Sequence, residues 1–286
     1  MSTSPEPSVP SRPRDAATVV LLRGEPLEVF LVRRTGRSVF MPGAHVFPGG
    51  RLDPTDADPR VRDRSVGRDP AGAAAALGET DDPTRALALF CAAVRETFEE
   101  AGVLLGETRA AAVDLAQARA ELAAGAPWPD VLDALDATLR LDWLVPIARW
   151  VTPTVEPRRF DARFFLARAP RDQRPSHDAT ETTEGGFFAP AGALERAARG
   201  QIVLPPPTLR TLEWLEAAGS VESAFARVGS GPPPLVEPMF VRLDAGLVAL
   251  VLPGDPLHPR RERAIEGPTR FVLRDGRWRS EAPTLA

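Results

Sequence analysis

The chain has 286 residues, 43% of them hydrophobic, enough to build a packed core and too many for an intrinsically disordered protein. Its 39 acidic residues outnumber its 35 basic ones, for a net charge of −4, so no basic field draws it to nucleic acid. All the basic residues are Arg, which excludes lysine nucleophiles and Schiff bases, and a single cysteine, Cys91, excludes an internal disulfide.

Residues 1–15 are Ser/Pro-rich and lack an apolar stretch. They read as a disordered tail rather than a signal peptide. Ala17–Arg23 and Leu27–Arg33 are rich in β-branched residues and flank Gly24-Glu25-Pro26, which predicts a hairpin. Phe40–Gly50 is a Gly/Pro-studded loop around His45-Val46-Phe47. Residues 54–82 are polar and Pro- and Gly-bearing, and residues 57–80 are expected to form a partly mobile surface excursion. Asp82-Pro83 supplies an N-cap and a first-turn proline; the helix they open is expected to stop at Gly102. Helices are predicted over 110–124, 129–139, 191–199, 207–217 and 221–228, and strands over 144–152 and 159–167. Beyond the Gly/Pro-rich stretch 229–234, short alternating runs predict a β extension to the C-terminus. The order of elements suggests a mixed sheet between helices, an α/β fold. No apolar run approaches the roughly 18 residues that span a bilayer, so no membrane partner is expected, and the expected compartment is the cytoplasm.

The helix over 83–101 carries the chemistry. Glu96, Glu99 and Glu100 sit at spacings that place them on one face, within a sector of roughly 100°. Leu87, Cys91, Val94, Phe98 and Ala101 fall on the other side. Three carboxylates so close repel unless cations neutralise them, and hard divalent cations prefer such oxygens. Taken alone, an acidic run reads as a solvated face. Arg95 directly before it and Gly102 after it make the pattern more specific.

Arg95 to Val103 resembles the second half of the Nudix box, G-x5-E-x7-R-E-U-x-E-E-x-G-U, with Thr97 in an aliphatic position. Gly50 resembles its opening glycine, and Asp56 stands where the family has Glu. Residues 57–94 then intervene, so the box is split. This arrangement, together with the stretches 40–47, 91–96 and 158–165, is similar to the coenzyme A diphosphatase-like branch of the Nudix superfamily, over residues of about 17 to 216.

The resemblance implies a Nudix α/β/α sandwich, here expected over 16–228, and the β extension over 229–286 is expected to pack on the same domain. It implies a hydrolase that cleaves a nucleoside diphosphate linked to another group, with Mg²⁺ or Mn²⁺ held by Glu96, Glu99, Glu100 and the Gly49 carbonyl. Glu99 or Glu100 serves as base, and the choice between them stays open. Arg95 is an organiser paired with Asp56, for which Asp53 is the alternative. Glu181 or Glu184 is an accessory carboxylate; Arg158, Arg159, His45 and Gly50 are candidate phosphate contacts. The stricter coenzyme A signature places an Arg where this chain has Val39, with Arg37 two residues away. The expected partner is a small nucleotide, coenzyme A or an acyl derivative, with NADH, ADP-ribose or a nucleotide sugar as alternatives, and a homodimer is left open. A nucleotide sensor without turnover is the rival of another class; the complete set of helix carboxylates argues against it.

Overall fold

A computed structural model describes residues 11–35, 41–176, 182–243 and 246–283. Strands β1 (Arg14–Arg23) and β2 (Glu28–Arg34) form the expected hairpin, with Leu22 opposite Val29. The short strands β3 (His45–Val46) and β4 (Gly49–Arg51) then pair with β2 and β1 respectively. The tail is held earlier than composition suggested. β1 begins at Arg14, and the Ser11 carbonyl accepts a hydrogen bond from Arg159. Residues 1–10 lie outside the described segments.

The expectation of a surface loop over 57–80 is overturned. After a 3₁₀ turn at Pro54–Ala57 come helix α1 (Pro59–Asp63), strand β5 (Ser65–Val66) and helix α2 (Pro70–Leu77). Asp58 and Asp69 cap the two helices, each followed by a proline at the first helical position. Val61, Ala73, Ala74 and Leu77 are buried in the main core. The inserted segment buries apolar surface, which is what offsets the entropy of ordering it.

Helix α3 (Pro83–Ala101) starts at the Asp82 cap and stops at Gly102, whose φ of 66° is left-handed. Strand β6 (Gly106–Glu107) and helices α4 (Ala112–Ala123) and α5 (Trp128–Ala134) follow. Helix α5 ends five residues before the expected Leu139. Asp136 takes a positive φ of 45°, tolerated best by Asn, Asp and Gly, and the chain turns into strand β7 (Thr138–Arg140). β7 pairs with β5 and β6, so a small sheet ties the insertion to the chain beyond α3.

Strands β8 (Val145–Val151), β9 (Phe160–Arg168) and β10 (Thr182–Phe188) complete most of the main sheet, followed by helices α6 (Pro190–Ala198), α7 (Pro206–Ala218) and α8 (Val221–Ala226). Strand β11 (Leu235–Val236) joins its edge, giving the order β10-β2-β1-β9-β8-β11. β1 runs parallel to β9, while the β1–β2, β8–β9 and β10–β2 pairs are antiparallel, so the sheet is mixed.

Alternation along β1 separates two layers. Ala17, Val19 and Leu21 join Phe90, Val94 and Phe98 of α3 in one apolar cluster. Val20 and Leu22 join Leu209, Leu212 and Leu215 of α7 in the other. Both faces of the sheet are covered, which explains the unbroken apolar run in β1. Strands β12 (Met239–Arg242), β13 (Val248–Val251), β14 (Arg270–Arg274) and β15 (Arg277–Glu281) form an antiparallel sheet in that order. Leu252 and Phe271 from this region bury in the α7 cluster. No helix among the described residues is long and apolar enough to cross a membrane.

Candidate active site

Glu96 and Glu100 of α3 are buried, and Glu99 is half-buried. The charged face of the helix therefore points into the protein, against β4 and the turn at 54–57. Arg95 sits at the centre. Its Nε donates to Asp56 Oδ1 at 2.8 Å and its Nη2 to Asp56 Oδ2 at 3.0 Å. Its Nη1 donates to Glu96 Oε1 at 2.9 Å and to Glu99 Oε1 at 3.0 Å, and Nη2 also reaches the Arg51 carbonyl at 2.9 Å. One guanidinium fork thus ties two helix carboxylates, the carboxylate from the first half of the box, and strand β4.

Asp56, 1% exposed, meets Arg95 even though the insertion begins at the next residue. The insertion leaves and returns at the same place. Asp53, the alternative partner, is engaged otherwise: it caps the turn, accepting from the Thr55 N–H and hydroxyl, while its own N–H donates to Asp56 Oδ2 at 2.8 Å. Burial pushes the Asp56 carboxyl up from the ordinary range, an effect Arg95 only partly offsets. Burial likewise pushes Glu96 up to about 7, with the Glu99 charge adding to burial and Arg95 opposing it.

The glycines of β4 let the backbone approach the acidic helix. The Gly49 N–H donates to Glu100 Oε2 at 2.9 Å. A Cβ on Gly50 would stand 2.5 Å from a Glu96 carboxylate oxygen, so only glycine leaves that space open. Thr97, in the aliphatic position of the pattern, is fully buried and donates its hydroxyl to the Ala93 carbonyl at 2.6 Å, which satisfies it within the helix.

The donor set is all carboxylate oxygen, suited to a hard divalent cation, and the space beside Gly50 is one that a Cβ would fill. Among the described residues, no three acidic, His or Cys side chains close around one point as they stand. Glu96 and Glu99 are drawn to Arg95, and Glu100 to the Gly49 N–H. Arg95 neutralises part of the repulsion that the helix spacing creates.

Other predicted residues are dispersed. Arg159 is buried, and its guanidinium donates to the Thr152 carbonyl at 2.9 Å and the Ser11 carbonyl at 3.0 Å. These bonds tie the N-terminal segment to the turn between β8 and β9. Arg158 is exposed in that turn. His45 is buried, and its Nδ1 has no hydrogen-bond partner. Its ring packs edge-on to Phe188, and burial holds its pKa below the usual value. Glu184 is exposed and pairs weakly with Arg33 at 3.4 Å. Glu181, Arg37 and Val39 lie outside the described residues.

Two supports of the acidic helix went unread in the sequence. Arg119 of α4 donates to the Glu99 carbonyl at 2.8 Å, fixing the last turn of α3. At the other end, Arg85 of α3 donates to Asp15 at 2.6 and 2.5 Å. The fully buried Arg163 of β9 reaches the same Asp15 at 2.7 Å and Glu79 at 2.7 and 2.6 Å. None of these residues falls in a local pattern, because their partners lie up to 148 residues away.

A mixed sheet between two helical layers, with an Arg–Glu–Glu–Glu turn of one helix facing a Gly-Gly strand, defines a Nudix hydrolase. The sequence profile described as the NUDT19 Nudix domain matches residues 13–215. The human protein named acyl-coenzyme A diphosphatase NUDT19 is 31% identical, over 90% of this chain and 83% of its own length. The chicken protein of the same name is 31% identical, over 68% of this chain and 65% of its own. The crystal structure of a Nudix hydrolase from Alicyclobacillus acidocaldarius superimposes with a TM-score of 0.65 at 31% identity, covering 78% of this chain and 99% of that one. The chain belongs to the NUDT19 Nudix domain family and is a Nudix pyrophosphohydrolase.

Proposed function

We propose that this enzyme hydrolyses the pyrophosphate of coenzyme A or an acyl-coenzyme A, with Mg²⁺ or Mn²⁺ held by Glu96, Glu99, Glu100 and the Gly49 carbonyl. The observation that carries the reading is the Arg95 knot, which aligns Glu96 and Glu99 beside the Gly49-Gly50 strand. The substrate class rests on the relatives in human and chicken that carry the name acyl-coenzyme A diphosphatase.

A divalent cation, when bound, neutralises pyrophosphate charge and acidifies a water. The chain's own residues do the positioning. Arg95 fixes one oxygen of Glu96 and one of Glu99, and so sets the direction of both carboxylates. Asp56 balances Arg95 from the side away from Glu96 and Glu99, so that the guanidinium is not left as an unpaired buried charge. The Gly49 N–H holds Glu100 against β4. Glu99, half-buried, and Glu100 are the candidate bases that accept the proton of the attacking water. Arg158 remains a candidate contact for substrate phosphate, Glu184 and Glu181 for an accessory carboxylate, and His45 for a phosphate near β3.

We place the enzyme in the cytoplasm. Its one cysteine, Cys91, is buried and has no second cysteine to pair with, which suits a reducing compartment. Residues 229–286 are taken as an extension of the catalytic domain, since Leu252 and Phe271 share its core.

The test is a hydrolysis panel with Mg²⁺ and with Mn²⁺ over coenzyme A, acyl-coenzyme A, NADH, ADP-ribose and nucleotide sugars. Preferred cleavage of the coenzyme A compounds is expected. Strong cleavage of NADH or ADP-ribose with coenzyme A inert would assign the enzyme to dinucleotides instead.

A further inference from the structure

On the sheet face opposite α3 lies a cavity of about 390 Å³, lined by β8, α7, the end of α8, the loop 229–234 and residues 264–266. That volume is in the range of small-molecule sites. Its walls include Trp150, Trp214, Ile147, Val228 and Ile265. Several of them, from Arg227 onward, lie beyond the 13–215 span of the family match, so the C-terminal extension helps build the cavity.

The charge around it is unevenly matched. Arg210 lines the cavity at 5% exposure, and its Nε is buried without a hydrogen-bond partner. Its other nitrogens donate to Glu213 at 2.7 Å, to Ser280 at 3.0 Å and to the Pro268 carbonyl, and its guanidinium lies over the Phe271 ring. Arg227 adds a second, exposed guanidinium at the cavity, where its approach to Glu266 is only 4.0 Å. Glu213 is the close counter-charge of Arg210, so Arg227, only within 4.0 Å of Glu266, is the more weakly paired of the two guanidinium groups. A desolvated cation in an apolar wall favours an anion nearby.

We propose that this cavity is a second binding site, separate from the acidic helix, for an amphipathic monocarboxylate whose apolar body lies between Trp150 and Trp214 and whose carboxylate meets Arg227 above Arg210. The apolar walls supply the affinity for the hydrocarbon, and the two guanidinium groups select an acid over a neutral amphipath.

Titration calorimetry of the full chain with decanoate tests the site, with decanol as the neutral control and thermal unfolding used to check that each variant is folded. The expected result is saturable binding of one decanoate, weakened tenfold or more by Ile265→Trp, which fills the cavity, and by Arg227→Gln, which removes the exposed charge. Decanol should bind less tightly than decanoate and be indifferent to Arg227→Gln. A decanoate-dependent change in tryptophan emission should be lost in Trp214→Phe. No saturable binding of decanoate, or equal affinity in the parent chain and folded Ile265→Trp, would overturn the site. Equal affinity in the parent chain and Arg227→Gln would overturn its selectivity for acids.

Discussion

Arg95 and Asp56 meet through two hydrogen bonds of 2.8 and 3.0 Å, although they stand 39 positions apart in the chain. The pair spans the insertion and closes the two halves of a divided motif onto each other. Both side chains are buried, so each is the other's main compensation for leaving water.

Breaking that pair should therefore be costly. Asp56→Asn removes the counter-charge and leaves Arg95 pulled toward Glu96 and Glu99 alone. A loss of about 3–5 kcal/mol in unfolding free energy is expected, the usual cost of stripping one partner from a buried ion pair. Urea denaturation reads it directly. A loss below about 1 kcal/mol would mean that the charge of Asp56 is not needed to hold the knot.

The insertion should behave as core. Leu77→Ala removes a buried side chain from the main apolar cluster and should cost about 2–5 kcal/mol. Deleting residues 57–80 should abolish cooperative unfolding, because Val61, Ala73, Ala74 and Leu77 go with it. A stable, cooperative deletion variant would return the segment to the status of a surface loop.

Much of this was legible and some was not, for physical reasons. Helix α3 was readable because its ends carry their own chemistry, Asp82 with Pro83 at one and Gly102 at the other. The acidic face was readable from spacing, and Asp56 only through the family pattern that gives its offset from Gly50. The insertion was unreadable because two of its four buried positions are the small residues Ala73 and Ala74, and the other two, Val61 and Leu77, stand 16 positions apart, so no apolar period shows. The surroundings of Arg159 were unreadable because one of its partners, Ser11, is 148 residues away, and arginine looks the same in sequence whether its partners are phosphates or carbonyls. The Asp15–Arg163 contact is distant in the same way.

That contact predicts a pH dependence. Burial works against the Asp15 carboxylate, but hydrogen bonds and attraction from Arg85 and Arg163 outweigh it and hold its pKa below the ordinary 3.8. A carboxylate depressed on folding adds stability above its unfolded pKa, and that share is lost as pH falls through the folded one. The stability gap between the parent chain and Asp15→Asn should thus be constant from neutral pH down to about 4 and shrink below it. Denaturant curves across pH 2 to 7 measure the gap. A gap that closes instead on raising the pH would contradict the assignment.

Gly50→Ala tests the close approach of β4 to the acidic helix. The added methyl would meet the Glu96 carboxylate at 2.5 Å, and the flexible side chain has to move aside. Mn²⁺ affinity should fall roughly tenfold to a hundredfold, the scale of disturbing a ligand's support. Thermal stability should fall much less. Unchanged Mn²⁺ binding by titration calorimetry would show that Glu96 need not occupy its present position.

The central claim is that the turn Glu96–Glu100 is the metal-dependent catalytic face, and turnover of Glu100→Gln tests it most directly. The substitution keeps the size and leaves an amide oxygen to accept from the Gly49 N–H, while removing one negative charge from a cluster whose mutual repulsion opposes folding. With Mg²⁺ and coenzyme A as substrate, kcat should fall roughly a hundredfold or more while the melting temperature stays level or rises. Near-normal turnover in a folded Glu100→Gln enzyme would contradict the account.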